Sequence, residues 1–340
     1  MTADLRSDTI TKPTPEMYQA MASAELGDDV LGDEPTVQKL EELAAVKTGK
    51  EAGLFVPSGT MGNQIALATH TKPGDSVLFE DEAHMVYYEA GAPAVIARVV
   101  TRSMSSVDGV VPPSEISKRA LVKSEHTPGT TLVCLENTHN RHGGAVTPVE
   151  DHAEYRRVAD ELGLKLHLDG ARVFNAAVAL KVDAREITQH VDTVNFCLSK
   201  GLCSPVGSLL CGPSDFITEA RFWRKRLGGG MRQAGIIAAC GIVSLTSMVD
   251  RLAEDHAKAK RLQEACEEIH GLSPLHSMTN ILMIDTERPA TEWVERLEEK
   301  GVRCSAFAPN RIRFVTHRDV SDEEIGYAID ALSTLSDELS

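Results

Sequence analysis

Residues 164–172 read Leu-Lys-Leu-His-Leu-Asp-Gly-Ala-Arg. Leucines alternate with polar residues over five positions, which predicts a strand over 164–168, and Asp169-Gly170 ends it with turn chemistry. The same grammar recurs on either side. Strands are predicted over 53–56, 76–79, 94–100, 131–136, 193–198 and 208–211, with helical periodicity over 59–71, 113–123, 149–162 and 213–227. Several of these helices have Pro at or near their first position, where its missing N–H costs nothing. Strand and helix in alternation predict an α/β fold: a mainly parallel seven-stranded sheet with helices on both faces. From Arg251 onward the pattern becomes a long charged helix, a strand over 280–284, a helix over 289–300, a strand over 311–316 and a last helix. We therefore expect a large domain, 1–250, and a smaller C-terminal α+β domain, 251–340.

The chain has 340 residues, enough for a large core. Fifty Asp and Glu against 35 Lys and Arg give a formal charge of −15, which argues against nucleic acid and anionic membranes as partners. The seven cysteines are scattered and never spaced C-x-x-C, so neither a disulfide framework nor a zinc knuckle is expected. The first twenty residues contain no apolar run of the kind that forms a signal core, so a cytoplasmic location is expected. Residues 234–249, the longest apolar stretch, are shorter than the roughly 18 residues a membrane span needs and are expected to form a buried helix.

In open α/β sheets, ligands collect at the carboxyl ends of the strands. The residues following the predicted strands are Pro57-Ser58-Gly59-Thr60, Asp81-Glu82-Ala83-His84, Glu136-Asn137-Thr138-His139, Asp169-Gly170-Ala171-Arg172 and Ser199-Lys200-Gly201. Taken singly these are a helix cap, surface histidines and turns. Together they supply what pyridoxal phosphate requires: a lysine to form an imine, an acid for the pyridinium nitrogen, a backbone cradle for phosphate and a flat group for the ring. Lys200 follows an apolar strand, where desolvation lowers an amine's pKa and frees its lone pair. Asp169 suits the ring nitrogen. Ser58, Gly59 and Thr60 open a helix whose positive end suits phosphate.

The segments DLRSDT (4–9), GDDVLGDEPTV (27–37), FVPSGTMGNQ (55–64), LENTHN (135–140), LHLDGARVFNA (166–176), LSKGL (198–202), GGGMRQAG (228–235) and IRFVTH (312–317) resemble those of the L-threonine aldolases, fold-type I pyridoxal-phosphate enzymes of the β-eliminating lyase branch. The resemblance runs from Asp4 to about Val320. It implies that Lys200 binds the cofactor, Asp169 meets its ring nitrogen, and His84 stacks on the ring. It also implies that Ser7, Arg172 and Arg313 hold the substrate carboxylate, so that residues 1–15 contribute to the site. Paired guanidinium donors suit that task. Arg232 resembles the arginine that reaches a phosphate across a subunit interface, and the family implies a homotetramer built as paired dimers.

The implied reaction is cleavage of L-threonine or L-allo-threonine to glycine and acetaldehyde, which needs a base for the β-hydroxyl proton. His84 and His139 are the candidates, with His139 favoured near the hydroxyl and His84 as ring stacker; no metal ligand set is expected. Leu31 stands where the family commonly has tyrosine, and Cys203 where a small residue is usual. Other lyases and aminotransferases share the scaffold, but the pair His84 and His139 within these motifs favours the aldolase. A silent cofactor-binding protein would have lost the lysine or the clamp. A nucleotide-binding protein would need G-x-G-x-x-G or a P-loop, and neither occurs.

Overall fold

The structure is a computed structural model and describes residues 1–339. Its strands are β1 (Ala3–Asp4), β2 (Ala52–Val56), β3 (Ser76–Glu80), β4 (Val100–Met104), β5 (Thr130–Glu136), β6 (Lys165–Asp169), β7 (Thr193–Cys197), β8 (Ser208–Gly212), β9 (Leu272–Pro274), β10 (Ile281–Thr286), β11 (Val302–Arg303), β12 (Ser305–Ala308) and β13 (Arg311–Val315). Seven of them form the main sheet, in the order β2-β8-β7-β6-β5-β3-β4. Neighbours from β7 to β4 run parallel, while β8 is antiparallel to both β2 and β7.

The strands are apolar on both faces because both faces are covered, as a parallel sheet requires. Along β2, Leu54 and Val56 pack with Ile65 and Ile217 of helices Gly59–His70 and Ser214–Arg226, while Phe55 points to the opposite core. That second core gathers Leu166, Leu168, Phe196 and Leu209 with Tyr155, Val158 and Val173 from helices Val149–Leu162 and Val173–Leu180. Residues 234–249 are, as expected, a helix packed into this core: Gly235–Val243 continues into a wider turn, Ser244–Met248. Among the described residues no single helix is long and apolar enough to cross a membrane.

One strand lies elsewhere than the sequence pattern suggests. Residues 94–97 of the expected strand 94–100 belong instead to a wide helical turn, Pro93–Ala97, closed by Arg98 at φ 58°. The edge strand is the next segment, Val100–Met104, whose sequence VTRSM is largely exposed and lacks an apolar signature. An edge strand needs only one covered side, so its pattern is weak.

The C-terminal residues form a four-stranded antiparallel sheet, β12-β13-β10-β9. Its core includes Leu282, Ile284, Ile312 and Phe314 with Trp293, Leu332 and Leu335 from the helices. Ala3 and Leu5 belong to this core too, because β1 pairs in parallel with β11. The chain then crosses from the small sheet to the carboxyl edge of the large one within a few residues, which delivers Ser7, Asp8 and Thr11 to the strand ends.

Candidate active site

Glu80, Glu136 and Asp169 end the adjacent parallel strands β3, β5 and β6, and Lys200 follows β7 by three residues. Lys200 Nζ lies 3.3 Å from Cys197 Sγ, and the Lys200 carbonyl accepts from Thr11 Oγ1 at 2.8 Å. Among the described residues, no carboxylate lies within ion-pair distance of this amine. Asp169 is 2% exposed; Oδ2 accepts from Asn63 Nδ2 at 2.7 Å and Oδ1 from the Ala171 backbone at 3.1 Å.

His84 sits between carboxylates. Its backbone N–H donates to Glu136 Oε2 at 2.6 Å, and Nδ1 is 3.1 Å from Glu89 Oε1. An ionised carboxylate only accepts, so Nδ1 carries the proton and Nε2 is the open nitrogen. Burial alone lowers the imidazole's pKa, but the Glu89 hydrogen bond and the charges of Asp169, Glu89 and Glu136 outweigh it and raise it above 6.5. The other Glu136 oxygen, Oε1, accepts from the Asn140 backbone at 2.8 Å, so one carboxylate ties the His84 and Asn140 loops together.

The arginines differ. Arg172 donates from Nε and Nη2 to Asp8 Oδ2 and Oδ1 at 2.8 and 2.7 Å, a buried two-pronged pair that also receives Asn280 Nδ2 at 3.1 Å. Burial pushes the Asp8 carboxyl up, but the Arg172 charge and hydrogen bonds hold it well below the usual range. Arg313 Nη2 donates to Asn140 Oδ1 at 3.1 Å, which Arg172 Nη1 also approaches at 3.4 Å, and Arg313 Nε is buried without a partner. Burial, reinforced by the neighbouring Arg172 charge, lowers the Arg313 pKa to about 10. A guanidinium held so close to another cation, with a spare buried donor, is a seat for an anion. Ser7 is partly buried and caps the turn Asp8–Ile10, its Oγ accepting from Thr9 N at 3.1 Å.

Ser58 caps helix Gly59–His70 through Met61 N at 3.2 Å, and Ser58 and Thr60 stay exposed at that helix end. At Gly59 a Cβ would lie 2.8 Å from Cys197 Sγ, so only glycine lets the helix end sit this near the lysine loop. Arg232 is not brought to this cradle: its partner is Asp28, at 3.0 Å, and its side chain is 60% exposed. Leu31, on the same loop as Asp28, is also exposed. Cys203 is buried, and burial pushes its thiol up to about 11.

His139 does not reach the opening. Its side chain is 1% exposed, Nε2 is 2.7 Å from Glu80 Oε2, and Nδ1 is sealed without a partner. His142 packs on it edge to face at 4.7 Å and stands 3.3 Å from Glu82 Oε2. Glu80, His139 and His142 each offer one ligand atom within 4.8 Å of the others, a spacing that a divalent ion can bridge. Of the two candidate bases, His84 is the one with an accessible surface, at 29% side-chain exposure.

Asp8, Asn63, Glu89, Glu136 and Asn140 were not assigned roles by sequence reasoning. Four of them stand inside the motifs DLRSDT, FVPSGTMGNQ and LENTHN, so the motif membership was the available signal. Glu89 lies in none of them and is recognised only through its contacts.

A planar aldehyde bearing a phosphate fits these residues: an amine free of ion pairs, a buried acid opposite, an imidazole alongside, a glycine cradle at a helix end and an arginine with a spare donor. Comparison with known proteins agrees. The model of the family described as Beta-eliminating lyase matches residues 4–289. The low specificity L-threonine aldolase of Escherichia coli (strain K12) is 43% identical, covering 95% of this chain and 96% of its own. The low-specificity L-threonine aldolase 1 of Arabidopsis thaliana is 40% identical, covering 96% and 94%. Among solved structures, the threonine aldolase of Leishmania major superposes with a TM-score of 0.85 at 19% identity, over 98% of this chain and 99% of its own, which shows the fold, that of the fold-type I pyridoxal-phosphate enzymes. By the family match over most of its length and by near full-length identity to these relatives, the chain belongs to the beta-eliminating lyase family.

Proposed function

We propose that this chain is a pyridoxal-phosphate-dependent aldolase that cleaves L-threonine, L-allo-threonine or a related β-hydroxy-α-amino acid into glycine and an aldehyde. The observation that carries the reading is the convergence of Lys200, Asp169, His84 and the open Arg313 at the carboxyl ends of adjacent strands. Full-length likeness to two low-specificity L-threonine aldolases supports the substrate class.

When bound, pyridoxal phosphate draws electrons from the bonds at the substrate's α-carbon. Lys200 would hold it, Asp169 would face its ring nitrogen, His84 would lie along the ring, and Ser58, Gly59 and Thr60 would receive the phosphate. Arg313 receives the substrate carboxylate with its spare Nε, assisted by Arg172 Nη1 and Ser7. Asn140 holds both guanidiniums at one oxygen and so fixes where that carboxylate rests. By fixing the carboxylate, this clamp would orient the bonds at the substrate's α-carbon and so select the one the cofactor would weaken. His84 Nε2 takes the β-hydroxyl proton as the aldehyde leaves, directly or through one water, and Glu89 keeps the imidazole turned for it. His139 braces Glu80, whose Oε2 also accepts from the Glu82 backbone on the loop that carries His84.

The separate hydrophobic cores support two domains meeting near residue 250, with residues 1–15 serving the site. Arg232, turned away from its own cradle, supports a role at the phosphate of a neighbouring subunit in a homotetramer. The buried, free cysteines support a reducing, cytoplasmic setting. The test is the absorbance of purified protein and acetaldehyde release from L-threonine and L-allo-threonine by wild type and Lys200→Ala. We expect a cofactor band, and aldehyde release that disappears in the variant. A cofactor band without acetaldehyde points to another amino-acid lyase, and no band after adding pyridoxal phosphate rejects the cofactor.

A further inference from the structure

Asn63, in helix Gly59–His70, is 1% exposed and has every hydrogen-bonding position filled. Nδ2 donates to Asp169 Oδ2 at 2.7 Å and to Glu89 Oε1 at 2.9 Å. Oδ1 accepts from Asn195 Nδ2 at 2.9 Å and from His167 Nε2 at 3.3 Å. Turning the amide over would set its oxygen against two carboxylates, so this orientation is the only satisfiable one.

The proton inventory then follows outward. His167 must carry its proton on Nε2, so its Nδ1 accepts from the Thr193 hydroxyl at 2.8 Å, and Thr193 Oγ1 accepts from His70 Nε2 at 2.8 Å. Burial holds both imidazoles neutral, His167 at about 4 and His70 at about 3, which this chain of single donors requires. The helix lies directly against β7 here: at Gly62 a Cβ would lie 2.2 Å from Asn195 Oδ1, so only glycine permits the approach that brings Asn63 to Asn195.

We propose that Asn63 is the positioning residue of the cofactor seat, its one amide fixing both Asp169, which faces the ring nitrogen, and Glu89, which orients His84. The inference rests on the proposed pyridoxal-phosphate reading. One amide bridging the two carboxylates holds Asp169 Oδ2 and Glu89 Oε1 in place, so Asp169 stays where it would face the ring nitrogen while Glu89 keeps Nδ1 of His84. Without the amide, Asp169 Oδ2 and Glu89 Oε1 lose the donor they share, and Asp169 is no longer held toward the ring nitrogen.

The experiment uses holoenzyme of wild type and Asn63→Ala loaded with 15N-ring-labelled pyridoxal phosphate, with Asn63→Ser in its place if the alanine variant does not fold. Read first is wild-type cofactor binding; its absence sinks the underlying reading together with this one. Given binding, we expect the variant's ring nitrogen to move from the protonated toward the unprotonated range. The cofactor should bind about tenfold or more weakly, and kcat per bound cofactor should fall about a hundredfold while KM changes less than about threefold, since the carboxylate clamp is untouched. A merely structural role lowers thermal stability but leaves the 15N shift and kcat per bound cofactor near wild type. That result overturns the proposal.

Discussion

Asp8 occupies both paired donors of Arg172, at 2.8 Å from Nε and 2.7 Å from Nη2, and this pairing leaves the neighbouring Arg313 as the guanidinium with an unmet donor. Arg313 keeps a spare buried Nε and meets only the neutral Asn140. Arg313→Lys is therefore expected to raise KM about 10- to 100-fold, because a point charge replaces a planar fork. Arg172→Lys is expected to lower thermal stability as well, since it breaks the buried pair. Steady-state kinetics beside thermal melts check both; equal effects of the two changes on KM with no loss of stability would refute the division of labour.

The same pairing shows what the sequence could reveal. The strand grammar of LKLHLDGAR places Asp169 and Arg172 at the carboxyl end of a strand, and the structure has them at the end of the central β6, because an alternating run closed by Asp-Gly has few other solutions. That Arg172 is filled by Asp8 was not legible: the two are 164 positions apart, and only the crossing from β1 to the large sheet brings them together. His139 misled for a similar reason. Its place after β5 resembles that of His84 after β3, but Glu80 and His142 enclose it, and enclosure depends on packing among three separated segments.

Asp8 should also shape the acid limb of stability. Its folded-state carboxyl lies below the ordinary 3.8, as the Arg172 charge and hydrogen bonds overcome the burial that would raise it. A depressed carboxyl contributes stability fully above its unfolded value and loses it as pH falls through the folded one. Asp8→Asn is expected to cost about 3–5 kcal/mol at neutral pH, because Arg172 is left buried and unpaired. It should flatten the dependence of stability on pH below about 4. Urea melts between pH 7 and pH 3 measure both effects.

As the proposed base, His84 would have to be neutral at Nε2 to take a proton, yet its surroundings raise its pKa above 6.5. The acid limb of kcat should therefore lie above pH 6.5. Glu89→Gln removes the hydrogen-bonded charge, while Asp169 and Glu136 remain, so the limb should move to lower pH and kcat should drop as the ring loses its orientation. A pH-rate profile whose acid limb stays put in this variant assigns the base to another group.

Glu136 holds two loops with one carboxylate, accepting from the backbones of His84 at 2.6 Å and Asn140 at 2.8 Å. Glu136→Gln keeps the shape but turns an amide N–H toward one of these donors. A buried donor left unmet costs about 1–3 kcal/mol, so a comparable loss of stability is expected. The loops carrying His84 and Asn140 should also loosen, lowering kcat about 10- to 100-fold and raising KM through the arginine clamp. Kinetics and melts that match wild type would show that the loops hold themselves.

Gly59 and Cys197 meet where the helix end approaches the lysine loop. A Cβ at Gly59 would lie 2.8 Å from Cys197 Sγ, and that sulfur is 3.3 Å from Lys200 Nζ. Because the blocking atom belongs to a short buried side chain, Gly59→Ala must push either the helix end or the sulfur, and the sulfur leads to Lys200. We expect Gly59→Ala to weaken pyridoxal-phosphate binding at least tenfold, about 1.4 kcal/mol. Removing the sulfur relieves the contact, so Cys197→Ala in the Gly59→Ala background should restore most of that loss, giving a coupling energy of about 1 kcal/mol in a double-mutant cycle. Cofactor titrations of the four proteins measure it. Strict additivity would place the damage of Gly59→Ala in the backbone cradle itself, with the sulfur a bystander.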